Sequence, residues 1–268
     1  MAIESLRPPL DAAMLRQRLP AGWRDLDVVE ETGSTNADLL ACAAAGEEVG
    51  GRVLLTEYQS AGRGRHGRQW SAPPRSQLTM SVAVDTGGVR PDAWGWLPLL
   101  TGVAVRDAVA EVSGVEAGLK WPNDVLVGEK KLAGILAEVA APQPVVILGI
   151  GLNVTMSDVE APSPSATSLS LLGARHHDRN DLGIAVLRHL GERITRWRRA
   201  EGADEALDAD YRRRSVTLGQ EVTATLPGDR RLRGTASDID HLGRLTIVSG
   251  GDCVTVAAGD VAHLRPRC

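Results

Sequence analysis

Apolar and polar positions along the chain fall into short blocks with different periods, and the blocks predict a mixed architecture. Arg52–Gln59 (RVLLTEYQ) alternates well enough for a strand, and Leu78–Asp85 (LTMSVAVD) is apolar and β-branched enough for another. Between Gly118 and Asn153, three apolar runs, LKWPNDVLV, EKKLAGILAEV and PVVILGIGLNV, follow one another across turn-forming Gly128-Glu129 and Pro142-Gln143. Runs this close, with no helix between them, predict a mixed, mainly antiparallel sheet and disfavour a doubly wound nucleotide fold. Helical spacing appears in four places. A short amphipathic stretch spans Leu10–Leu19, and Ser34 or Thr35 can cap a helix from about Asn36 to Ala45. Asp92–Val112 accommodates Pro98 near its first turn, and Leu182–Arg199, with Leu187, Leu190, Ile194 and Trp197 on one face, leads to a second helix over Ala203–Arg213. From Ser215 onward short β runs alternate with turns at Gly228-Asp229, Leu242-Gly243 and Gly250-Gly251. The pattern predicts an α+β fold in two parts: residues 1–214, a mixed sheet flanked by helices, and residues 215–268, a small β-barrel.

One stretch fits none of these periods. Gly62–Trp70 (GRGRHGRQW) holds Gly62, Gly64, Gly67, Arg63, Arg65, Arg68, His66 and Trp70 without an aliphatic side chain. Glycine lets backbone amides approach a ligand, and guanidinium forks match phosphate or carboxylate, so the loop suits an anion. Trp70 adds a flat face able to stack on a base. A solvated basic turn and a nonspecific RNA-binding segment are the alternatives.

Charge narrows that choice. The 268 residues carry a formal net charge of −4, with 30 basic and 34 acidic side chains, so any polyanion binding must be local. Hydrophobic residues make up 43% of the chain and charged ones 24%, as in a globular protein without extended disorder. Cys42, Cys253 and Cys268 are far apart and have no metal-ligand or disulfide spacing, which predicts reduced thiols in a cytoplasmic protein. No signal peptide or membrane-spanning run is present, and the first 27 residues are too sparse for a winged helix-turn-helix; the expectation is therefore no membrane and no DNA partner.

Of the basic residues only Lys120, Lys130 and Lys131 are lysines, all in one window. Lys131, at the mouth of an apolar strand, is the candidate for a compact charge inside a tight site; Lys130 reads as a polar turn residue. Asn123 and Asp124 in WPND form a turn or, beside a triphosphate, a place for Mg²⁺. Gly134, Gly149 and Gly151 interrupt apolar strands where a ligand or another backbone would come close, and Asn153 follows them. The proline/serine loop Ala161–Ser170 needs no phosphate-binding meaning. Walker, nucleophile-elbow and zinc-protease motifs are missing, and the histidines have no metal spacing. An arginine/glycine loop, a strand lysine and an acidic turn suit adenylation of a carboxylic acid, in which two anions must be brought together and their charge offset.

ETGSTN, EYQSAGRGRHGRQW, KWPND, KLAGILAE and GIGLN, in this order and spacing, resemble the biotin protein ligases (biotin–[acetyl-CoA-carboxylase] ligases), and GTASDIDHLGRLTIV with GDV resembles that family's C-terminal domain. The resemblance implies a catalytic domain like those of class II aminoacyl-tRNA synthetases and an SH3-like barrel. It implies biotin and Mg²⁺·ATP as substrates, a biotinyl-5′-AMP intermediate, and a lysine of a biotin carboxyl carrier domain as acceptor. Carried over by motif position, Ser34, Thr35 and Gln59 hold the biotin head, with Gly134 and Leu136 along its walls. Arg63, Gly64 and Arg65 wrap the carboxylate and phosphate, Lys131 sits on the carboxyl and α-phosphate, and Arg65 and Lys131 are the catalytic pair. The adenylate side is expected to comprise Arg63, Arg65, Arg68, Trp70, Asn123, Asp124, Lys131 and Asn153, with Asp124 toward the metal. His66 stands where the family often has arginine, and the chain aligns with ligase-only members. The alternatives are lipoate or octanoate transfer on a related fold and a non-catalytic biotin sensor.

Overall fold

A computed structural model describes residues 7–226, 230–257 and 260–263. In chain order the first part comprises α1 (Ala12–Gln17), β1 (Asp25–Thr32), α2 (Thr35–Ala44), β2 (Arg52–Gln59), β3 (Gln77–Asp85), α3 (Trp96–Ser113), β4 (Gly118–Lys120), β5 (Asp124–Val127), β6 (Lys130–Val139), β7 (Val145–Asn153), α4 (Arg179–Arg199) and α5 (Glu205–Arg214). β8 (Glu221–Leu226), β9 (Arg230–Ile239), β10 (Leu245–Ser249), β11 (Asp252–Val256) and β12 (Asp260–His263) follow.

β1 to β7 form one sheet in the order β1-β2-β3-β7-β6-β5-β4, with β1 parallel to β2 and the other neighbours antiparallel. This is the mixed, mainly antiparallel sheet that the run-together strands predict. β8 to β12 form a separate antiparallel sheet in the order β11-β10-β9-β8-β12. Among the described residues no pairing of β11 with β12 closes it, so the expected barrel is here a five-stranded sheet.

Alternation along β3, β6 and β7 sorts side chains to two faces. Leu78, Met80, Val82, Ala133, Ile135, Leu148, Ile150 and Leu152 lie in the main core with α3 and α4. α3 is buried nearly all round, including Leu97, Leu100, Val103, Ala104 and Val105, as its continuous apolar sequence requires. α4 buries the predicted stripe Leu187, Leu190, Ile194 and Trp197. On the opposite face α2 packs Leu39 and Ala43 against Ala83, Val145 and Ile147, covering one end of the sheet and leaving the rest of that face open.

Local chemistry sets the element ends. The Ser34 hydroxyl accepts from Ala37 N–H and starts α2, Asp178 accepts from the Asn180 and Asp181 amides at α4, and Asp204 does the same at α5. α3 stops at Gly114, whose φ of 66° few other residues tolerate. Two predictions are corrected. The helix expected over Asp92–Val112 begins as a 3₁₀ turn, Pro91–Gly95, before α3. LKWPNDVLV is two strands, β4 and β5, because Pro122 has no N–H for a ladder and the chain turns between Lys120 and Asp124. β1 carries no strong strand pattern in sequence; its pairing with β2 defines it.

Candidate functional site

The open face of the first sheet carries a row of very small residues. Thr79 pairs with Gly151, Gly151 with Gly134, and Gly134 with Asp124, so two glycines sit directly opposite each other at the centre. Trp70 fills the space they leave: a Cβ on Gly151 would lie 2.4 Å from Trp70 Nε1, and one on Gly134 would lie 3.1 Å from its ring. The indole N–H donates to Gln77 Oε1 (2.9 Å), and Gln77 Nε2 in turn donates to Asn153 Oδ1 (2.7 Å). Glycine inside these apolar strands marks where an aromatic side chain lies on the backbone, in place of the ligand or second backbone expected there.

Lys131 reaches the same floor through a β-bulge. Val125 pairs with Ala133 but Leu126 pairs with Lys131, so one extra residue is inserted into β6. Without it Lys131 would share the core face of Ala133 and Ile135. The bulge re-aims it, and its Nζ lies 5.2 Å from the centre of the Trp70 ring and 2.6 Å from Asp124 Oδ1. The Lys131 backbone is held by the proline/serine loop: its N–H donates to Ser165 O at 2.6 Å, and its carbonyl accepts from Thr167 N–H at 2.9 Å.

The glycine/arginine loop leaves β2 and folds back on itself. Trp70 N–H donates to Gly62 O (2.9 Å), Gly64 N–H donates to Arg68 O (2.7 Å), and Arg63 and Gln69 make a β-bridge. Gly62 is obligatory there, since a Cβ would lie 2.3 Å from Trp70 O. At the tip His66 and Gly67 are both left-handed, with φ of 55° and 71°, and histidine is one of the few side chains enriched in that region. Arg65 Nη1 donates to Asn123 Oδ1 (3.3 Å), while Asn123 Nδ2 is fixed on Ile135 O (2.9 Å). Arg63 Nη2 donates to Glu138 Oε2 (3.0 Å).

At the other end lie α2 and the end of β2. Thr35 N–H donates to Gln59 Oε1 (2.9 Å), and Thr35 Oγ1 is 2.6 Å from Ser81 Oγ. Together these parts line one cavity of about 720 Å³. Each residue expected at the site lines it: Ser34, Thr35, Gln59, Arg63, Gly64, Arg65, Arg68, Trp70, Asn123, Asp124, Lys131, Gly134, Leu136 and Asn153. His66 is not in the lining, and Lys130 is exposed.

Sequence reasoning missed several participants. Pro162, Ser163, Ser165 and Ala166 line the cavity from a loop whose proline/serine composition calls for no phosphate-binding role and carries no signal of this one. Asn36 lies within ETGSTN but has no role assigned there, and Gln77 carried no signal of its own. Thr225 and Val261 reach the cavity from the second sheet, a long-range relation that no local pattern encodes.

The cavity can hold an extended, partly apolar molecule with an anionic middle. Residues 34–154 match the biotin/lipoate A/B protein ligase family, and residues 217–264 match the biotin protein ligase C-terminal domain. The chain is 54% identical over 268 residues to a biotin–[acetyl-CoA-carboxylase] ligase of Mycobacterium tuberculosis, covering 98% of both chains. It superposes on a biotin protein ligase from Aquifex aeolicus in complex with biotin and ATP with a TM-score of 0.76 and 26% identity, covering 91% of this chain and all of that one. On a Leishmania major biotin protein ligase in complex with biotinyl-5-AMP the TM-score is 0.61 and the identity 26%, covering 90% and 99% of the two chains.

Proposed function

The chain belongs to the biotin protein ligase family, and from that premise we propose how its cavity carries out the ligation. The protein is an ATP-dependent ligase that activates biotin as biotinyl-5′-AMP. A biotin carboxylate oxygen bonds to the α-phosphorus of ATP as the bond to pyrophosphate breaks. The amine of an acceptor lysine, on a biotin carboxyl carrier domain, then attacks the mixed anhydride and releases AMP. Neither step needs a protein nucleophile; both need negative charge offset and the reacting groups aligned.

The observation that carries the assignment is that Arg65 and Lys131, distant in sequence, line one cavity. On this reading Arg63, Gly64 and Arg65 surround the carboxylate and phosphate, and Lys131 leaves Asp124 to sit on the carboxyl and α-phosphate. Ser34, Thr35 and Gln59 take the ring head, with Gly134 and Leu136 beside it. Trp70 stacks on adenine from its glycine floor, Asn153 lines the adenosine side, and Arg68 and Asn123 serve the nucleotide. The loop would close over the adenylate and shield the anhydride from water.

Mg²⁺ belongs to the proposal through its phosphates. Among the described residues there is no group of three or more His, Cys, Asp or Glu side chains able to cage a metal. Asp124 is a single carboxylate already paired with Lys131. That donor set fits magnesium arriving on the triphosphate with most of its waters and one protein carboxylate, Asp124, and when bound it would offset charge on the departing pyrophosphate. A division into a catalytic part ending near Arg214 and a C-terminal part from Ser215 is supported by α5 ending at Arg214 and by the separate second sheet. A cytoplasmic setting is supported by unpaired Cys42 and Cys253, Cys268 lying outside the described residues. No helix among the described residues is long and apolar enough to cross a membrane.

Exchange of labelled pyrophosphate into ATP, with biotin, lipoate and octanoate offered separately, tests the activation step. Biotin alone should support exchange, and Lys131→Ala should slow it about a hundredfold, as when one preorganised donor is removed from a charge-stabilising site. Full exchange by Lys131→Ala would remove its assigned role, and exchange with lipoate instead of biotin would favour the rival substrate.

A further inference from the structure

Beneath the proposed ring-head pocket runs a chain of hydrogen bonds whose direction is determined by chemistry. Glu138 Oε2, on β6, accepts from Arg63 and, at 2.8 Å, from Asn36 Nδ2. A carboxylate facing a guanidinium only accepts, so the Asn36 amide must turn its nitrogen toward Glu138 and its oxygen inward. Asn36 is 3% exposed, and its Oδ1 occupies the space a side chain on Gly149 would need, with a Cβ there only 2.5 Å away. An amide oxygen has no proton, so the 2.6 Å contact with Ser81 Oγ is a donation from the serine. Ser81 is fully buried and has then spent its only proton. The remaining contact, 2.6 Å between Ser81 Oγ and Thr35 Oγ1, must be bridged by the threonine's proton.

Thr35 Oγ1 is thereby left with lone pairs alone for anything bound in the cavity. Gln59 Oε1 already accepts from Thr35 N–H and, at 3.1 Å, is the other acceptor within reach of the Thr35 hydroxyl, so the shorter bond to Ser81 is what keeps that proton off Gln59. Two acceptor oxygens thus converge at the edge of the cavity, oriented to receive one donor.

We infer that Glu138, Asn36 and Ser81 form a directional relay that holds Thr35 as a hydrogen-bond acceptor, so the site selects an acyl substrate whose ring head presents an N–H. This inference rests on the reading that Thr35 and Gln59 hold that head. A cyclic urea satisfies the requirement, whereas an apolar dithiolane ring or an alkyl chain leaves both oxygens unpaired. Sites built to accept a hydrogen bond reject the analogue that lacks it far more strongly than apolar pockets sort by size. Ser81, Asn36 and Glu138 are positioning residues, acting through Thr35.

The test compares biotin with two cyclic carbamate analogues, each replacing one ureido N–H by oxygen, in biotin-dependent pyrophosphate exchange by the full chain. The wild-type enzyme should show a higher KM for one carbamate than for biotin, with kcat little changed. Ser81→Ala turns the Thr35 proton onto Gln59 Oε1, which then has no lone pair left for the substrate, and should shrink that KM ratio roughly tenfold, the worth of one hydrogen bond. Glu138→Ala removes the 2.8 Å partner of the Asn36 amide, leaving only the 3.3 Å bond to Leu136 O to orient it, and should shrink the ratio by a smaller factor; its partly exposed side chain keeps this arm available if Ser81→Ala fails to fold. Loss of Arg63 anchoring or of general stability would weaken biotin and carbamate alike and leave the ratio where it was. An unchanged ratio in both variants, with Thr35→Val raising KM for biotin, overturns the relay alone. Thr35→Val with an unaltered KM for biotin overturns the head-group assignment and the relay with it.

Discussion

Single side chains show best how far the local sequence reaches. Gly151 and Trp70 form one object: the glycine exists so that the ring can lie on β7. Gly151→Ala should push the indole away, raise KM for ATP several-fold and leave KM for biotin near its original value, as initial rates with each substrate varied would show. Arg65 donates to Asn123 at the cavity, and on the proposed reading its guanidinium holds the adenylate. Arg65→Ala should therefore leak biotinyl-AMP and biotinylate bystander lysines, which mass spectrometry of an added lysine-rich protein would detect; unchanged selectivity would remove the retention role. Both roles are legible from residue type and spacing. The Asn36 and Ser81 contributions are not, because a buried asparagine and serine acquire direction only from the neighbours that tertiary contact gives them.

At the scale of elements, the chain before β1 and the turn after β7 are joined by charge. Arg7 is buried, donating to Thr155 O (2.9 Å) and pairing with Glu160 Oε2 (2.6 Å). Burial alone would raise the Glu160 pKa, but the bonds from Arg7 and from the Ser157 N–H and hydroxyl overcome it and hold the carboxyl at about 2, against an ordinary 4.5. A carboxyl depressed on folding contributes stability that is complete above its unfolded value and is lost as pH falls from about 4.5 toward about 2. Glu160→Gln should lower stability near neutral pH by about 3 kcal/mol, since it leaves a buried guanidinium without its opposing charge. It should also flatten the acid limb in that window, both measurable by urea unfolding at several pH values. A second buried pair, Arg179 with Glu57 at 2.5 Å, ties α4 to β2 beneath the site, with Glu57 Oε1 also accepting from Leu10 N–H. Helix and strand positions were readable from periodicity, but these ties were not, because arginine and glutamate in sequence look like solvated surface.

Across the whole molecule the two sheets share one core. Trp121 is 2% exposed and donates through Nε1 to Gly243 O (3.0 Å), and its backbone N–H donates to the Thr217 hydroxyl. Trp96 donates to His241 O and packs edge-on against Tyr211, with ring centres 6.1 Å apart. The second sheet also lends Thr225 and Val261 to the cavity. Trp121→Ala should therefore destabilise the protein by about 3–5 kcal/mol through a large cavity in that shared core. Unfolding should remain a single transition when followed by both fluorescence and far-ultraviolet dichroism; two separated transitions would show that the sheets unfold independently.

The amino-acid sequence by itself determined the order and type of most elements, the anion-gripping composition of Gly62–Trp70 and the special status of Lys131, because each depends on residue type and spacing within a few positions. Only the tertiary structure decided that Gly134 and Gly151 lie opposite one another, that a bulge turns Lys131 onto that floor, that the serine/proline loop and the second sheet complete the cavity, and which way the protons beneath Thr35 point. Register, bulges and hydrogen-bond direction arise between segments far apart in the chain. No local pattern of polar and apolar positions carries that information.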